Sequence, residues 1–588
     1  MDRQKVLHID KRYLMIPQSA NVEVNRSASA SRKEGHGEVI VAVDGRRLFS
    51  ERLVIRGEKP WWWAALDLSP WQGMTMEVRG SITEDEQEAF DAISLETELK
   101  GMPDLYHEFN RPQFHFSYRH GVLGDPTAMV YYPPAQEWHM FTIHNPFRGR
   151  EICWGHAVSS DLLHWEERSP IFRDPHWFYN GAGFVDTRNL LGLNRDGEMA
   201  IVLLTPYMPR EHRPVSMTLS LVSMTVSIDG GRTFHDMNDL AQTLSRSDLP
   251  VNPIVPGTGD APRLYWNPVA NKFFLSHCRW GKQGEEETLA SLQYASDNLV
   301  DWTRVDDVPL LIFDNWPGEG DANDVLELPL DGDETNRIVL IMCGRNGYAL
   351  GRYSEAGLDN LAGQPLTSRD TIATGHYGYP IVFSGTPGGR GIIMYNVGNG
   401  RRGGIPNCEI GYKPNMSFPL ELSLRTTPSG PRLYQYPIRE IERLYRKTHV
   451  IGDLRVGDTP TSVHGPQGGL YHVQSVVEAG SAEEIDLTIM GYTITYNAGN
   501  GTIGSERDEW GPSARDGRPV ITQEGGTIKV DMLIDRTSIE VFPNEGERYI
   551  YYGRLTLYEH KGDHFTFTAR GGEGALRGLK VIEMDTIW

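Results

Sequence analysis

The sequence lacks several features that mark common protein classes. Its four cysteines lie apart without CxxC or histidine spacing, which favours buried free thiols over a disulfide framework or a zinc site. No apolar run is long enough to span a membrane, and the first residues lack the apolar stretch of a signal peptide. We therefore expect a cytoplasmic protein, or a secreted or periplasmic one from which a leader was removed.

Positive charge is also scarce. The 588 residues include 57 Lys and Arg against 78 Asp and Glu, which gives a formal net charge of −21. A protein that binds phosphates needs clustered Lys and Arg, so we expect neither nucleic acid nor an anionic membrane surface as a partner. No metal-binding loop is recognisable, and we expect no metal and no cofactor. The sequence does not indicate an oligomeric state.

Aromatic residues, glycine and proline are plentiful. Trp, Tyr and Phe make up 10% of the chain, with 62 Gly and 36 Pro, a composition that suits many turns and a sugar-binding cleft. Strand-like runs recur every 8–15 residues from about 105 to 430, separated by Gly and Asp turns, whereas helical periodicity is nearly absent. This pattern predicts an all-β fold of antiparallel meanders: a sandwich, a barrel or a propeller.

The length exceeds what one hydrophobic core usually supports, so several domains are expected. The pattern of residues 1–104 predicts a small β-domain, in which the tryptophans of "KPWWWAALDLSPW" are assigned to packing. Residues 105–430 read as the main β-domain, and 450–588 as another. Between them, 431–449 form a linker with a short amphipathic helix in "PIREIERLYRK".

Motifs more specific than strand patterns follow one another between about 105 and 588. In chain order they are "RPQFHF", "VLGDPTA", "HMFTIHNPF", "WGHAVSSDLLHW", "NGAGFVD", "SIDGGRTF", "SFPLELSL", "LYQYPIREI" and "IDRTSIEVFPNEGE". Together they resemble glycoside hydrolase family 32, the family of invertases, inulinases and levanases. Residues 1–104 look like an accessory β-domain found on some bacterial members.

The resemblance implies a five-bladed β-propeller over 105–430, with three carboxylates in its funnel, and a β-sandwich over 450–588. Members of this family cleave β-fructofuranosyl bonds in oligo- or polysaccharides, or transfer the fructosyl group to another acceptor. In that chemistry one carboxylate attacks the anomeric carbon, while a carboxylic acid protonates the leaving oxygen.

The resemblance also assigns candidate catalytic residues. Asp125 of "VLGDPTA" aligns with the nucleophile. The strand "VLELPLDG" fixes the register of the preceding "DAND", which places Asp321 at the acid/base, with Glu319 and Asp324 as further candidates. "GDAPRLYW" aligns with the Arg-Asp-Pro motif of the third carboxylate, a role that Asp260 could fill only if the backbone is displaced by one residue.

Glu319 and Asp324 are also expected substrate contacts, together with three residues of matched stretches, His144, Asn145 and Trp154. His115 and His156 are interpreted as structural histidines. An intact "RDP" at 173–175 lies too early in the propeller to be the functional motif and is read as a surface loop.

The departures from the family pattern are concentrated on the site itself. Gly124 stands where the motif has a sugar-binding Asn, Ile143 where the family has a substrate-binding Gln, and Ala261 in strict register with the third carboxylate. Two alternatives to a fructan-cleaving enzyme therefore stay open. One is a propeller enzyme acting on arabinofuranosides or other pentofuranosides, and the other is a non-catalytic carbohydrate-binding protein on the same fold.

Overall fold

A computed structural model of the chain describes most of its length. The described residues are 1–18, 38–52, 62–100, 102, 104–108, 111–147, 153–172, 180–207, 221–255, 260–283, 286–305, 323–343, 347–361, 373–375, 377–397, 412–413, 415–466, 468–505, 518–553 and 565–588.

The N-terminal segment forms two small sheets, with strand orders β1-β6-β3-β4 and β5-β2-β7. Its elements are β1 (Asp2–His8), β2 (Tyr13–Gln18), β3 (Glu38–Val43), β4 (Arg46–Arg52), β5 (Trp62–Asp67), β6 (Thr75–Ser81), α1 (Gln87–Ala92) and β7 (Ser94–Glu96). Along β6, Met76 and Val78 are buried, whereas Thr75, Arg79 and Ser81 are exposed, as expected for a sheet with one face toward solvent. Phe49 stacks on Phe147, 4.7 Å between ring centroids, and so joins these sheets to the next domain.

The middle of the chain is a propeller of five blades, each built on four antiparallel strands, with a short fifth strand added to the last blade. The first three blades are β8 (Gly121–Tyr132), β9 (Glu137–Asn145), β10 (Cys153–Ser159) and β11 (Glu166–Ile171); β12 (Ala182–Val185), β13 (Ile201–Tyr207), β14 (Leu221–Ser227) and β15 (His235–Asp236); and β16 (Asp260–Asn267), β17 (Lys272–Gln283), β18 (Glu286–Ser296) and β19 (Thr303–Arg304). A helix, α2 (Met237–Leu244), follows β15.

The last two blades are joined to each other by one parallel pair between β20 and β29. Their strands are β20 (Asn323–Leu330), β21 (Asp333–Cys343), β22 (Gly347–Ser354) and β23 (Gly357–Asn360), then β25 (Tyr377–Val382), β26 (Gly391–Val397), β28 (Asn415–Met416), β29 (Leu420–Thr427) and β30 (Gly430–Pro437). Two short strands leave these blades: β24 (Thr374–Gly375) pairs with the C-terminal domain, and β27 (Tyr412–Lys413) pairs with β8.

The inner strand of each blade borders the central channel. These strands are β8, β12, β16, β20 and β25. The first four contact one another in succession, β25 contacts β8, and Val382 of β25 donates its N–H to Asp324 of β20. The ring closes between the last and first blades, where Ser384 N–H donates to Met129 O and Tyr131 N–H donates to Ser384 O. The β27 to β8 pairing ties the same two blades a second time. Residues early in each inner strand therefore converge at one end of the channel.

The C-terminal domain is a sandwich of two sheets, with strand orders β24-β39-β38-β37-β33-β41-β31 and β32-β40-β34-β35-β36. Its strands are β31 (Tyr445–Val456), β32 (Thr461–Val463), β33 (Tyr471–Glu478), β34 (Glu484–Ile489), β35 (Tyr492–Asn497), β36 (Thr502–Gly504), β37 (Thr527–Asp535), β38 (Ser538–Pro543), β39 (Ile550–Gly553), β40 (Phe565–Arg570) and β41 (Gly574–Met584). Aliphatic and aromatic side chains from both inner faces form its core.

The predicted fold class is confirmed, with differences in detail. The helix expected in "PIREIERLYRK" is a short 3₁₀ helix at Arg439–Leu444, because Pro437 still belongs to β30; Ile441 and Leu444 are buried as its pattern predicted. The helix α2 was missed. Cys153 is a buried free thiol, as expected, whereas Cys408 and the side chains of Cys278 and Cys343 lie outside the described residues. Within the described residues, no helix is long and apolar enough to cross a bilayer.

Candidate active site

Asp125 lies near the start of β8, the inner strand of the first blade, and its side chain is half-buried. Leu123 pairs with His144 and Pro126 with Thr142, so Gly124 and Asp125 together oppose a single residue of β9. This is a β-bulge, which turns a side chain out of the regular alternation of a strand. Pro126 fits this position because it has no N–H to donate to the ladder. The bulge therefore sets the direction of the Asp125 carboxylate.

Gly124 is held against Ile143 across the bulge. A β-carbon at position 124 would lie 2.8 Å from Cβ and 3.0 Å from the carbonyl oxygen of Ile143. The sequence analysis aligned both residues with sugar-binding positions of the family motif, and in the structure the two positions are in direct contact. A side chain at position 124 would therefore require a shift of Ile143 or of the bulge.

We expect Gly124→Ala to lower the free energy of unfolding by about 1–3 kcal/mol, because the new methyl group overpacks the bulge. Turnover should fall with it, since Asp125 is the next residue. Urea unfolding at pH 7 measures the first effect. Gly457→Ala is the matched control, because nothing lies within 4 Å of a β-carbon at that position. Equal stabilities of the two variants would contradict the close packing.

Asn396 of β26 contacts the carboxylate of Asp125. Its side-chain Nδ2 donates to Asp125 Oδ1 at 2.7 Å, across 271 residues of sequence. The ionised carboxylate only accepts hydrogen bonds, so the Asn396 amide has to present its nitrogen to Asp125. Asn396 is 1% exposed and Asp125 is half-buried, so this charge-assisted contact is partly buried.

Three expected substrate contacts lie on the strands beside Asp125. His144 is buried, and its Nδ1 donates to Val122 O at 3.0 Å. Its ring packs against that of Tyr118, with 4.0 Å between centroids and an angle of 32° between the ring planes. Burial lowers the pKa of His144 to about 3, so the ring is neutral. Asn145 pairs with Val122 and is half-buried. These contacts brace β9 against the start of β8, and substrate contact by either side chain stays a prediction.

Trp154, the third expected contact on these strands, lies on β10 and is 0% exposed. Its indole packs against the backbone at Gly181, where a β-carbon would come within 2.5 Å of the ring. In this structure the residue therefore supports the wall between the first two blades from within, and a sugar contact at the cleft rim stays a prediction.

The segment that aligns with the third carboxylate is irregular. Asp260 pairs with Cys278 and Arg263 with Ser276, and the pairing is broken between them. Ala261 has a left-handed backbone, with φ of 50°, and its side chain is buried against Tyr379. The interruption falls where a displacement by one residue would let Asp260 take the family position. The side chain of Asp260 lies outside the described part of the chain.

Asp324 is tied into a buried ion pair at the start of β20. Its Oδ1 lies 2.8 Å from Arg263 Nε, and its Oδ2 accepts the Val382 N–H at 3.0 Å. Burial raises the pKa of Asp324, although the Arg263 charge and the Val382 hydrogen bond oppose that shift. The pair links the inner strands of the third, fourth and fifth blades. This gives Asp324 a structural task, and its role toward substrate or as the acid stays a prediction.

Asp321 and Glu319 lie outside the described residues, as does the "RDP" at 173–175. A cavity of about 470 Å³ is lined by residues of all five inner strands, among them Tyr131, Arg263 and Asp324. Asp125 is not one of its lining residues. The described residues contain no cluster of His, Cys, Asp and Glu that could hold a metal ion.

The interpretation of His115 and His156 as structural residues agrees with their surroundings. His115 is fully buried between two carboxylates of the sandwich, with Nδ1 2.7 Å from Asp535 Oδ2 and Nε2 3.3 Å from Glu540 Oε2. His156 Nε2 lies 3.0 Å from Nδ1 of a second buried histidine, His139. Neither residue faces Asp125 through any described contact.

The sequence interpretation missed two residues of the site. Asn396 stands inside the apolar run "GIIMYNV", and a polar residue in a buried strand is itself a signal that could have singled it out. Arg263 follows the displaced Arg-Asp-Pro segment, and a lone cation among "APRLYW" needs a buried partner for the same reason.

Comparison with known proteins agrees with this architecture. The family model of the glycosyl hydrolases family 32 N-terminal domain matches residues 115–437, and that of the family 32 C terminal matches residues 440–552. A levanase of Bacillus sp. (strain L7) is 25% identical over 516 residues, which cover 82% of this chain and 53% of the levanase. A levanase of Bacillus subtilis (strain 168) is 24% identical over 519 residues, 82% of this chain and 72% of that protein. The chain thus spans about half the length of the first levanase.

Solved structures share the fold. The exo-inulinase of Aspergillus awamori aligns with a TM-score of 0.64 at 20% identity, over 82% of this chain and all of that one. Fructan 1-exohydrolase IIa of Cichorium intybus aligns with a TM-score of 0.62 at 16% identity, over 82% and 98% of the two chains. Because the family models cover the propeller and much of the sandwich, the chain belongs to glycosyl hydrolase family 32.

Proposed function

We propose that this protein cleaves β-fructofuranosyl bonds of oligo- or polysaccharides, by hydrolysis or by transfer to another acceptor. The observation that carries the proposal is the Asp125 carboxylate, set in a bulge of the innermost strand and fixed by an amide, in a chain of family 32. Levanase and exo-inulinase relatives make levan and inulin the first substrates to test.

Asp125 acts as the nucleophile in this proposal. Its carboxylate attacks the anomeric carbon as the bond to the leaving oxygen breaks, which forms a covalent fructosyl ester. Asp321 donates a proton to the leaving oxygen, then takes one from the water or sugar hydroxyl that releases the ester. Asp260 holds sugar hydroxyls while positive charge develops. The paired departures at Gly124 and Ile143 remove two polar sugar contacts, so the ring is gripped differently from the family pattern.

Product analysis tests the proposal. Purified protein is incubated with levan, inulin, sucrose and arabinofuranosides, and products are separated by chromatography, with Asp125→Asn protein as the blank. Release of fructose or fructo-oligosaccharides that depends on Asp125 supports it. Release of arabinose instead would overturn the substrate class, and an inert protein that still binds fructan would overturn the catalytic role.

A second expectation concerns Asp321. Asp321→Asn should slow natural fructans, whose sugar alkoxide leaves poorly, about 100-fold or more, and activated aryl fructosides far less, because these need little protonation. The two rates are compared under saturating substrate. If both substrates slow by the same factor, the proton donor is Glu319, Asp324 or another group.

A further inference from the structure

We infer that Asn396 is the positioning residue of Asp125, and that Gly378 is the opening through which it reaches the carboxylate. This inference rests on the proposed function, because it gives Asp125 a catalytic task. It adds a residue of the fifth blade to a site otherwise assembled from motifs of the first, third and fourth blades.

The contact needs an explanation because Asn396 does not lie on an inner strand. It belongs to β26, which is separated from the channel by β25. Asp125 lies on β8, the inner strand of the first blade. A side chain from a second strand can reach the channel only where the inner strand leaves room.

Gly378 supplies that room. Tyr377 pairs with Val397 and Pro380 with Tyr395, and regular pairing of β25 and β26 is interrupted between them. A β-carbon on Gly378 would lie 1.9 Å from Asn396 Oδ1 and 2.7 Å from its Cγ, so any side chain there would displace the amide. Glycine therefore has a specific task at this position: it lets the Asn396 side chain pass the inner strand.

The rest of Asn396 is fixed by packing and backbone pairing. Asn396 pairs with Met416 of β28, its neighbour Tyr395 is fully buried, and the Tyr395 hydroxyl donates to Gln435 Oε1 at 2.5 Å. Within the described residues, Asn396 Oδ1 has no hydrogen-bond partner, so the amide is not held by a second polar contact. Its one described side-chain hydrogen bond is the one to Asp125.

The chemical consequence is twofold. An N–H donated to one carboxylate oxygen restricts the orientation of the group relative to the substrate that it attacks. The same hydrogen bond favours the charged form of the carboxylate, which is the nucleophilic one. Asn396 would therefore act on the chemical step more than on substrate binding.

The test is a set of variants assayed on the best fructan substrate. Asn396→Ala should lower kcat by about 10- to 100-fold, with KM changed little, because a hydrogen bond to a charged group is lost. The acid limb of the kcat/KM profile should shift to higher pH. Asn396→Asp should shift that limb further, since a second carboxylate would then face Asp125 at hydrogen-bond distance.

Gly378→Ala provides an independent variant. It should reproduce the kcat loss of Asn396→Ala, and the double variant should be no worse than either single one, because both remove the same contact. Asn267→Ala is the control: Asn267 is also a buried propeller asparagine, but its amide donates to Ser354 O and Gly357 O at 2.9 Å. It should lose stability without moving the pH limb.

The outcomes separate this inference from the proposed function. If folded Asp125→Asn protein is inactive while Asn396→Ala keeps wild-type kcat and pH profile, the positioning role is overturned and the nucleophile stands. If Asp125→Asn protein retains activity, the proposed function fails first. Additive losses for the double variant would show that Gly378 acts independently of Asn396.

Discussion

Asp125→Asn should fold normally and lose about five orders of magnitude in kcat on fructans, because the covalent route is removed while the fold is untouched. The expected loss is large because an amide at position 125 cannot form the covalent fructosyl ester. Circular dichroism and the thermal midpoint check the fold, and initial rates of fructose release measure the loss.

Asp186→Asn is the matched control for this experiment. Asp186 is another propeller carboxylate; it is buried, and it accepts the backbone N–H groups of Leu190 and Leu191 at 3.0 and 2.9 Å. It should cost stability and leave kcat nearly unchanged. If Asp186→Asn lost as much activity as Asp125→Asn, the loss would not be specific to the proposed nucleophile.

Rescue of activity by a small anion provides a test that is specific for the loss of a nucleophile. In Asp125→Ala protein, formate can occupy the space left by the carboxylate and attack an activated aryl fructoside in its place. Activity should then rise with formate concentration. The assignment of Asp125 as nucleophile would be contradicted if formate did not rescue the folded Asp125→Ala protein. It would also be contradicted if Asp125→Asn protein kept near-normal turnover.

The sequence predicted those parts of the site that depend on local order. Asp125 can be assigned from the sequence because its motif stands between "RPQFHF" and "HNP". The all-β fold class is predicted by the regular spacing of turn residues between strand-like runs. The bulge at Gly124 and Asp125 could not be read in the same way. Whether two residues oppose one is decided by the partner strand, and the sequence of one strand does not contain that information.

Contacts between segments that are far apart in the chain could not be predicted from the sequence for the same reason. Asn396 and Asp125 are 271 residues apart in the sequence, and neither motif indicates that the two side chains are in contact. The helix α2 was missed on different grounds. It has only eight residues, with Asp236 capping its first turn, and it stands among strands, so its short amphipathic pattern is hard to distinguish from a turn.

The junction between propeller and sandwich is a second long-range contact of this kind. His115, Asp535 and Glu540 all stand in quoted motifs, yet their meeting across more than 400 residues appears only in the structure. All three are 0% exposed. Burial opposes the charge of His115, but the charges and hydrogen bonds of Glu540 and Asp535 outweigh it and raise the pKa of His115 to about 9. A buried imidazolium therefore joins the two domains at neutral pH.

This raised pKa predicts a specific pH dependence of stability. The unfolded histidine has a pKa near 6.5, so the contribution of His115 is fully present below that pH and is lost as pH rises toward about 9. Over this window the free energy of unfolding should fall by about 3 kcal/mol. His115→Gln should lack this fall, which is measured by urea unfolding between pH 6 and pH 9.5.

At pH 6, His115→Gln should be less stable than wild type by about 3–5 kcal/mol, since two buried carboxylates lose their cation. The difference in free energy of unfolding between wild type and His115→Gln should become smaller as pH approaches 9. His139→Gln is the control, because burial lowers the pKa of His139 to about 4. The contribution of that neutral ring is present above pH 6.5 and lost only as pH falls, so its variant should not alter the decline between pH 6.5 and 9.

Removing one of the two carboxylates should partly repair His115→Gln. Glu540 Oε1 accepts the Phe418 N–H at 3.2 Å and the Tyr549 hydroxyl at 2.6 Å, and Gln at position 540 can keep both bonds without the charge. The double variant His115→Gln/Glu540→Gln should therefore be more stable at pH 6 than His115→Gln alone, although each single change destabilises wild type. A double variant that loses the sum of the two single penalties would show that shape, rather than charge, holds the junction together.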